Sequence, residues 1–247
     1  MKIMKKPVLF ILAMFVTTLM ILTSCSKDNP APNSETASTS IGAKATFNLG
    51  RAVNDVTITK FMVNVKNIEL EFDDDVNEGS GGDDNNGGFG PFYNDIELDG
   101  PFELEFTTNG IVIPFVNVDL PVAQYEELEF EIAESNNQSS VLFQKSILIE
   151  GTVNTIPFLF WHNFEEGVEV DFEDANTDII IENNGNSILI NFDLNFLFNT
   201  SIIDLSTATD GNADGVIEIS PNDNDGNNAL ANTIKNIIKQ SIDLLDD

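Results

Sequence analysis

The chain has one cysteine, one histidine and one tryptophan in 247 residues, and 11 Lys and Arg against 41 Asp and Glu. Each shortage removes a class of function. One Cys cannot close a disulfide within the chain, and one Cys with one His cannot build a thiolate or imidazole metal cage. A net charge of -30 repels phosphate backbones, whose binding depends on clustered Lys and Arg, so nucleic acid is excluded as a partner. Also missing are a Gly-x-Ser-x-Gly elbow, a Gly-rich phosphate loop and a His-Glu-x-x-His helix, which mark a hydrolase nucleophile, a nucleotide site and a zinc protease. With 41 acids, some carboxylate pair always has the spacing a glycosidase needs, so counting pairs decides nothing. The expectation is a protein that is not an enzyme, with a glycan hydrolase as the minor alternative. What the chain does have is apolar mass: 42% hydrophobic residues, 19 of them Phe, enough to bury a core.

Long apolar runs are also scarce. The one at the N-terminus, Val8 to Leu22, has 15 residues and follows Lys2, Lys5 and Lys6. It is shorter than the roughly 20 residues a spanning helix needs, and small residues follow it, so residues 1–24 read as a cleaved secretory signal. The segment Leu22-Thr23-Ser24-Cys25 resembles the lipobox of bacterial lipoproteins: an apolar residue, two small residues and an obligatory Cys. That resemblance implies diacylglyceryl transfer to the Cys25 sulfur, cleavage after Ser24 and acylation of the new amino terminus. Several acyl chains make a stable anchor where one is marginal.

Ser26 stands where many inner-membrane lipoproteins carry Asp, and Lys27-Asp28 is similar to the short export signal of Gram-negative bacteria that display lipoproteins on the cell surface. The expected location is therefore the cell envelope, as an outer-membrane lipoprotein on the cell surface or facing the periplasm. Removing residues 1–24 takes away three Lys and no acid, so the remainder is more acidic still. Residues 25–42 read as the lipidated Cys and a flexible tether, because Ser26 to Ser40 holds no large apolar residue. Such a tether keeps the domain on the order of 20 Å from the lipid.

From Ala43 to about Leu205 the pattern has period two, and residues 43–221 read as one domain. Leu128, Phe130 and Ile132 alternate with Glu127, Glu129 and Glu131, a half-buried strand with an acidic outer face. In the run Val56 to Phe72 the apolar parity switches near Thr59-Lys60 and again near Asn67, which predicts bulges or a crossing between sheets. About nine such runs, separated by Asn, Gly and Asp turns, predict an all-β fold: a single antiparallel β-sandwich. In residues 222–247, Leu230, Ile234, Ile237, Ile238, Ile242 and Leu245 follow helical spacing. They predict a C-terminal amphipathic helix, N-capped by Asn227 or Asn228, that packs on the sandwich or docks a partner.

Two stretches interrupt the strands. Residues 73–91 form an acidic, Gly-rich loop, and Phe89, Phe92 and Tyr93 put aromatic faces on or beside it, a common way to stack on sugars or partner surfaces. Trp161 is open to two readings, a core residue or a sugar platform. His162 alternates onto the face of Phe158 and Phe160 and reads as structural. In the second stretch Asp210, Asn212 and Asp214 supply oxygens at positions 1, 3 and 5 of a loop, with Gly215 at 6, the Val216 carbonyl at 7 and Glu218 at 9. This resembles the first nine positions of an EF-hand-type calcium loop, though Pro221 stands where the bidentate Glu belongs. Asp223 and Asp225 offer replacement oxygens. Ca²⁺ is thus the expected cofactor, and a pair of Asx turns is the alternative.

The body also resembles, over residues 50–200, the β-sandwich lipoprotein domains of unknown function found in Gram-negative bacteria. The likeness rests on Val56-Thr57-Ile58-Thr59, on Asp119-Leu120-Pro121-Val122-Ala123-Gln124-Tyr125 before Phe130-Glu131-Ile132, and on Ile190-Asn191-Phe192-Asp193-Leu194-Asn195. It implies a fold and an envelope location. The function expected is a non-catalytic binding or adhesion module, held to the membrane through Cys25 and engaging a glycan or protein. The alternative is an accessory subunit of an outer-membrane uptake or assembly complex.

Overall fold

The computed structural model describes residues 35–47, 56–72, 96–171, 179–183, 185–199 and 201–245. Contacts divide the chain into Met1–Ala31 and Pro32–Asp247, and every described residue belongs to the second unit. In chain order its strands are β1 (Thr36–Thr46), β2 (Val56–Phe72), β3 (Ile96–Leu98), β4 (Phe102–Phe106), β5 (Ile113–Pro121), β6 (Gln124–Ile132), β7 (Ile147–Val153), β8 (Ile156–His162), β9 (Glu166–Asp171), β10 (Ile179–Ile180) and β11 (Asn186–Asp193). A single helical turn, α1 (Leu194–Leu197), follows β11, and the chain closes with β12 (Ile217–Ile219), helix α2 (Asn228–Ile237) and β13 (Ile242–Leu245).

The protein is all-β, two curled sheets with apolar faces turned on each other. The smaller sheet runs β13-β11-β1-β5 and the larger β10-β6-β2-β7-β8-β12, with β3 and β4 on β2 and β9 on β6. Ile41, Ala43 and Ala45 of β1 and Ile188, Ile190 and Phe192 of β11 join Phe61, Val63 and Val65 of β2 in one buried cluster. Phe61 meets Phe192 edge to face at 5.3 Å and stacks on Phe106 at 5.6 Å. Such pairs add about 0.5–1.5 kcal/mol beyond the area they bury.

Strand β2 organises the large sheet. Its register against β7 shifts between Ile58 and Lys60, and against β6 between Lys66 and Glu69, the two places where the apolar parity switches. At the second, Asn67 has φ +53°, a conformation Asn tolerates better than most residues. Val63 lies between Leu104 of β4 and Ile147 of β7, and Val65 between Phe102 of β4 and Ile132 of β6. Strands β7 and β6 therefore share one edge of β2 and meet at Asn64. There the Asn64 N–H donates to Ser146 O at 2.9 Å, its carbonyl accepts from Ala133 N, and Nδ2 donates to Ala133 O at 2.8 Å.

Between β5 and β6 the chain passes from the small sheet to the large one. Tyr125, fully buried, stacks on Phe72 and donates its hydroxyl to Pro121 O at 3.0 Å. This ties the first strand's end to the second's start, as tyrosine corners do in other sandwiches.

Three expectations need correction. The sheets are mixed, not antiparallel throughout: β1 pairs parallel with β11, and β8 parallel with β12. Strand direction across such pairs is set by long crossovers, which local alternation does not encode. Second, β1 begins at Thr36, inside the segment read as tether. Ala37 and Thr39 are 5% and 1% exposed, so here small side chains pack where no large one is needed. Third, α2 stops at Ile237, and a 3₁₀ turn, Ile238–Ser241, leads into β13, which pairs antiparallel with β11. The apolar residues at Ile242 and Leu245 fit a helical face and a strand equally, and the open edge of β11 decides between them. Asn227 sits at the N-cap position without capping through its side chain.

Candidate functional site

The loop from Asp210 to Asn228 is built on its own carboxylates. Asp210 Oδ1 and Asn212 Oδ1 both accept from the Asp214 N–H, at 3.1 and 2.8 Å, and Asp210 Oδ2 accepts from Gly215 N at 2.9 Å. The first two oxygens of the calcium-type pattern thus converge on one amide. Asp214 Oδ1 accepts from Val216 N at 2.9 Å, so the Asx turns of the alternative reading are present. Val216 is exposed.

Asp225 joins the two halves of the loop. It is 6% exposed, and its carboxylate accepts from Asn212 N at 3.1 Å and from Glu218 N at 2.6 Å. The backbones come so close that a Cβ on Gly211 would lie 2.4 Å from Asp225 O. Asp223 accepts from Ser220 N, Gly226 N and Asn227 N at 2.9, 2.7 and 3.0 Å, which shapes the turn entering α2. Asn227 spends its amide on Thr209 and Glu218 carbonyls at 2.8 and 2.7 Å. Glu218 Oε1 accepts the Trp161 indole N–H at 3.2 Å.

Trp161 lies on the opposite side of the large sheet from the main core. It is half-buried against Leu159 and the buried trio Met62, Leu142 and Leu148. Lys145 Nζ sits 5.6 Å from its ring centroid, so a neighbour of this chain already occupies one ring face. Cys25, Phe89, Phe92 and Tyr93 lie outside the described residues.

A second surface emerges from strand register. Glu97 of β3 faces Glu69 of β2, Glu69 faces Glu129 of β6, and Glu129 faces Glu169 of β9. One row below, Glu71 faces Glu127. Like charges directly opposite one another destabilise a sheet. Burial, then the charges of Glu71, Glu169 and Glu129, push the Glu127 carboxyl up to about 7. Glu127, Glu129 and Glu169 each bring an oxygen within 4.8 Å of the others, the one place among the described residues where three such groups meet. Beside them opens a cleft of about 470 Å³ lined by Glu69, Glu97, Asp99, Glu129 and Glu131. Lys66 answers part of this charge, 3.2 Å from Glu131. The alternation in β6 announces its acidic face. The facing acids on β2, β3 and β9 become visible only with the register.

Among the described residues no helix is long and apolar enough to cross a membrane. No protein-family model, no curated protein and no solved structure matches the chain.

Proposed function

We propose that this chain is a lipid-anchored protein of the cell envelope whose β-sandwich is a non-catalytic binding module, stabilised by Ca²⁺ held in the loop from Asp210 to Asp225. The anchor rests on Leu22-Thr23-Ser24-Cys25. The observation that carries the calcium reading is the convergence of Asp210 and Asn212 oxygens on one amide, with Asp225 tying that turn to the next. A carboxylate that accepts one or two N–H bonds keeps lone pairs for a cation. Asp210, Asn212, Asp214 and the Val216 carbonyl would hold the ion, with Asp223 or Asp225 in place of the missing bidentate Glu. Hard oxygen donors of this kind suit Ca²⁺, and extracellular modules work with Kd on the order of 10⁻⁴–10⁻³ M.

Net charge supports the same reading, since a domain this acidic repels itself and a bound divalent cation relieves the repulsion locally. The partner would be a glycan or a protein engaged at the outer surface. Thermal unfolding in about 10 mM Ca²⁺, ~100 times a Kd of 10⁻⁴ M, and in chelator tests the cation. Saturation at about 100 times Kd stabilises by about 2.7 kcal/mol, which raises the midpoint by roughly 5–10 °C for a domain of this size. The rise should vanish in Asp210→Ala/Asp214→Ala. Coincident wild-type curves would show the loop to be a turn without an ion.

A further inference from the structure

His162 ends β8, 8% exposed and edge-on to Phe164 at 5.3 Å. Its Nδ1 accepts the Asn163 backbone N–H at 2.9 Å. That nitrogen is therefore unprotonated, and the neutral ring carries its hydrogen on Nε2. Nε2 is buried without a well-formed hydrogen bond, and Asn232 on α2 is the polar side chain that bears on it.

The surroundings offer an imidazolium one partner, the Asn232 side chain, which does not outweigh burial. From α2, the charged group acting on the ring is the Lys235 cation. The carboxylate of Glu166 is already engaged by Lys235 and Lys239, at 3.6 and 3.4 Å. From β7 comes Ile147, across the strand pair, and just before that strand Ser146, whose N–H and hydroxyl bind the His162 carbonyl; neither titrates. Glu134 is held by Asn163 Nδ2 at 2.9 Å. Protonating Nδ1 would set one donor against another and bury a charge beside a like charge.

Helix α2 rests on β8 and β12 through Ala231 and Ile234, continued by Ile238. Its flanking ion pairs to Glu166 are partly solvated and contribute little. We propose that His162 is a proton-operated latch for the C-terminal segment: with the imidazole neutral, α2 sits on β8 and β12, and protonation releases it while the sandwich stays folded.

Burial lowers the His162 pKa from its ordinary 6.5; Asn232 opposes this and Lys235 adds to it. A lowered imidazole pKa stabilises the closed state above about 6.5 and loses that stability as pH falls. The opening constant therefore rises as pH falls below that value, by at most about tenfold per pH unit for one proton, and levels off below the closed-state pKa.

The test is hydrogen exchange on the full chain in chelator at pH 7.5, 6.5 and 5.5, corrected for intrinsic rates. Peptides from α2 are compared with peptides from β2. In the wild type, α2 should lose protection between pH 6.5 and 5.5, by up to about fivefold for one proton, while β2 keeps its own. In His162→Asn, whose Oδ1 still accepts the Asn163 N–H and does not titrate, α2 should show no such loss. The latch is overturned if α2 responds equally in both proteins, or if α2 and β2 open together. A second measurement needs no variant. The one histidine gives one imidazole resonance, and its titration at or above pH 6.5 with α2 still protected would also sink the idea.

Discussion

Tyr125 shows how much one side chain can fix. Its ring fills space against Phe72, its hydroxyl reaches Pro121 O, and burial raises the phenol well above its ordinary range. The bond crosses the point where the chain leaves one sheet for the other. Tyr125→Phe keeps the ring and strands a carbonyl, which costs about 1–2 kcal/mol, or roughly 2–8 °C of thermal midpoint for a domain of this size. A midpoint within 1 °C of the wild type, on the order of the measurement error, would mean that water replaces the hydroxyl. The segment Asp119 to Tyr125 is visible in the sequence as a motif. The hydrogen bond that gives it a purpose depends on β5 and β6 belonging to different sheets.

At the scale of the strand, the acidic ladder is a local weakness. Glu127 sits among Glu71, Glu129 and Glu169, and burial and their charges together raise its pKa from 4.5 to about 7. A carboxyl raised in this way binds its proton more tightly folded than unfolded. Its stabilising effect is therefore fully present below about pH 4.5 and is lost as pH rises through 7. Glu127→Gln should flatten that part of the midpoint-against-pH curve, measured in chelator, and leave the variant more stable than the wild type at pH 7.5. A parallel pair of curves would show the ladder to be too well solvated to matter. The opposite slopes at Glu127 and His162 let acid strengthen the sheet face while it loosens α2.

Period-two alternation made β2, β6 and β8 legible, and parity switches located two of the three register shifts in β2, missing the one between Glu71 and Phe72. Alternation says which face a residue takes and nothing about which strand lies beside it. That is why the parallel pairings of β1 with β11 and β8 with β12 escaped the sequence, and with them the facing acids. The turn from Asp210 to Glu218 was readable because its side-chain oxygens and the amides they bind are close in sequence. The link from Asp225 back to Asn212 was not, since it spans 13 positions.

For the whole molecule, the start of β1 limits what an anchor at Cys25 can do. About ten residues separate Cys25 from Thr36, and at roughly 3.3–3.6 Å each they reach about 35 Å at full extension. The domain would therefore work close to the lipid. Strand β1 is also central in its sheet, flanked by β11 and β5, so a pull from the membrane would load backbone hydrogen bonds on two sides rather than peel an edge. If the Cys25 sulfur carries the anchor, replacing it should separate location from folding. Cys25→Ser should move the protein out of the membrane fraction while its thermal midpoint, measured on the uncut protein in the same detergent as the wild type, matches that of the wild type. If Cys25→Ser stays with the membrane, the apolar run before it holds the protein there and the lipoprotein reading fails. If it leaves the membrane but melts lower, the anchor is coupled to β1, and the strand's central place in the sheet is where that coupling enters.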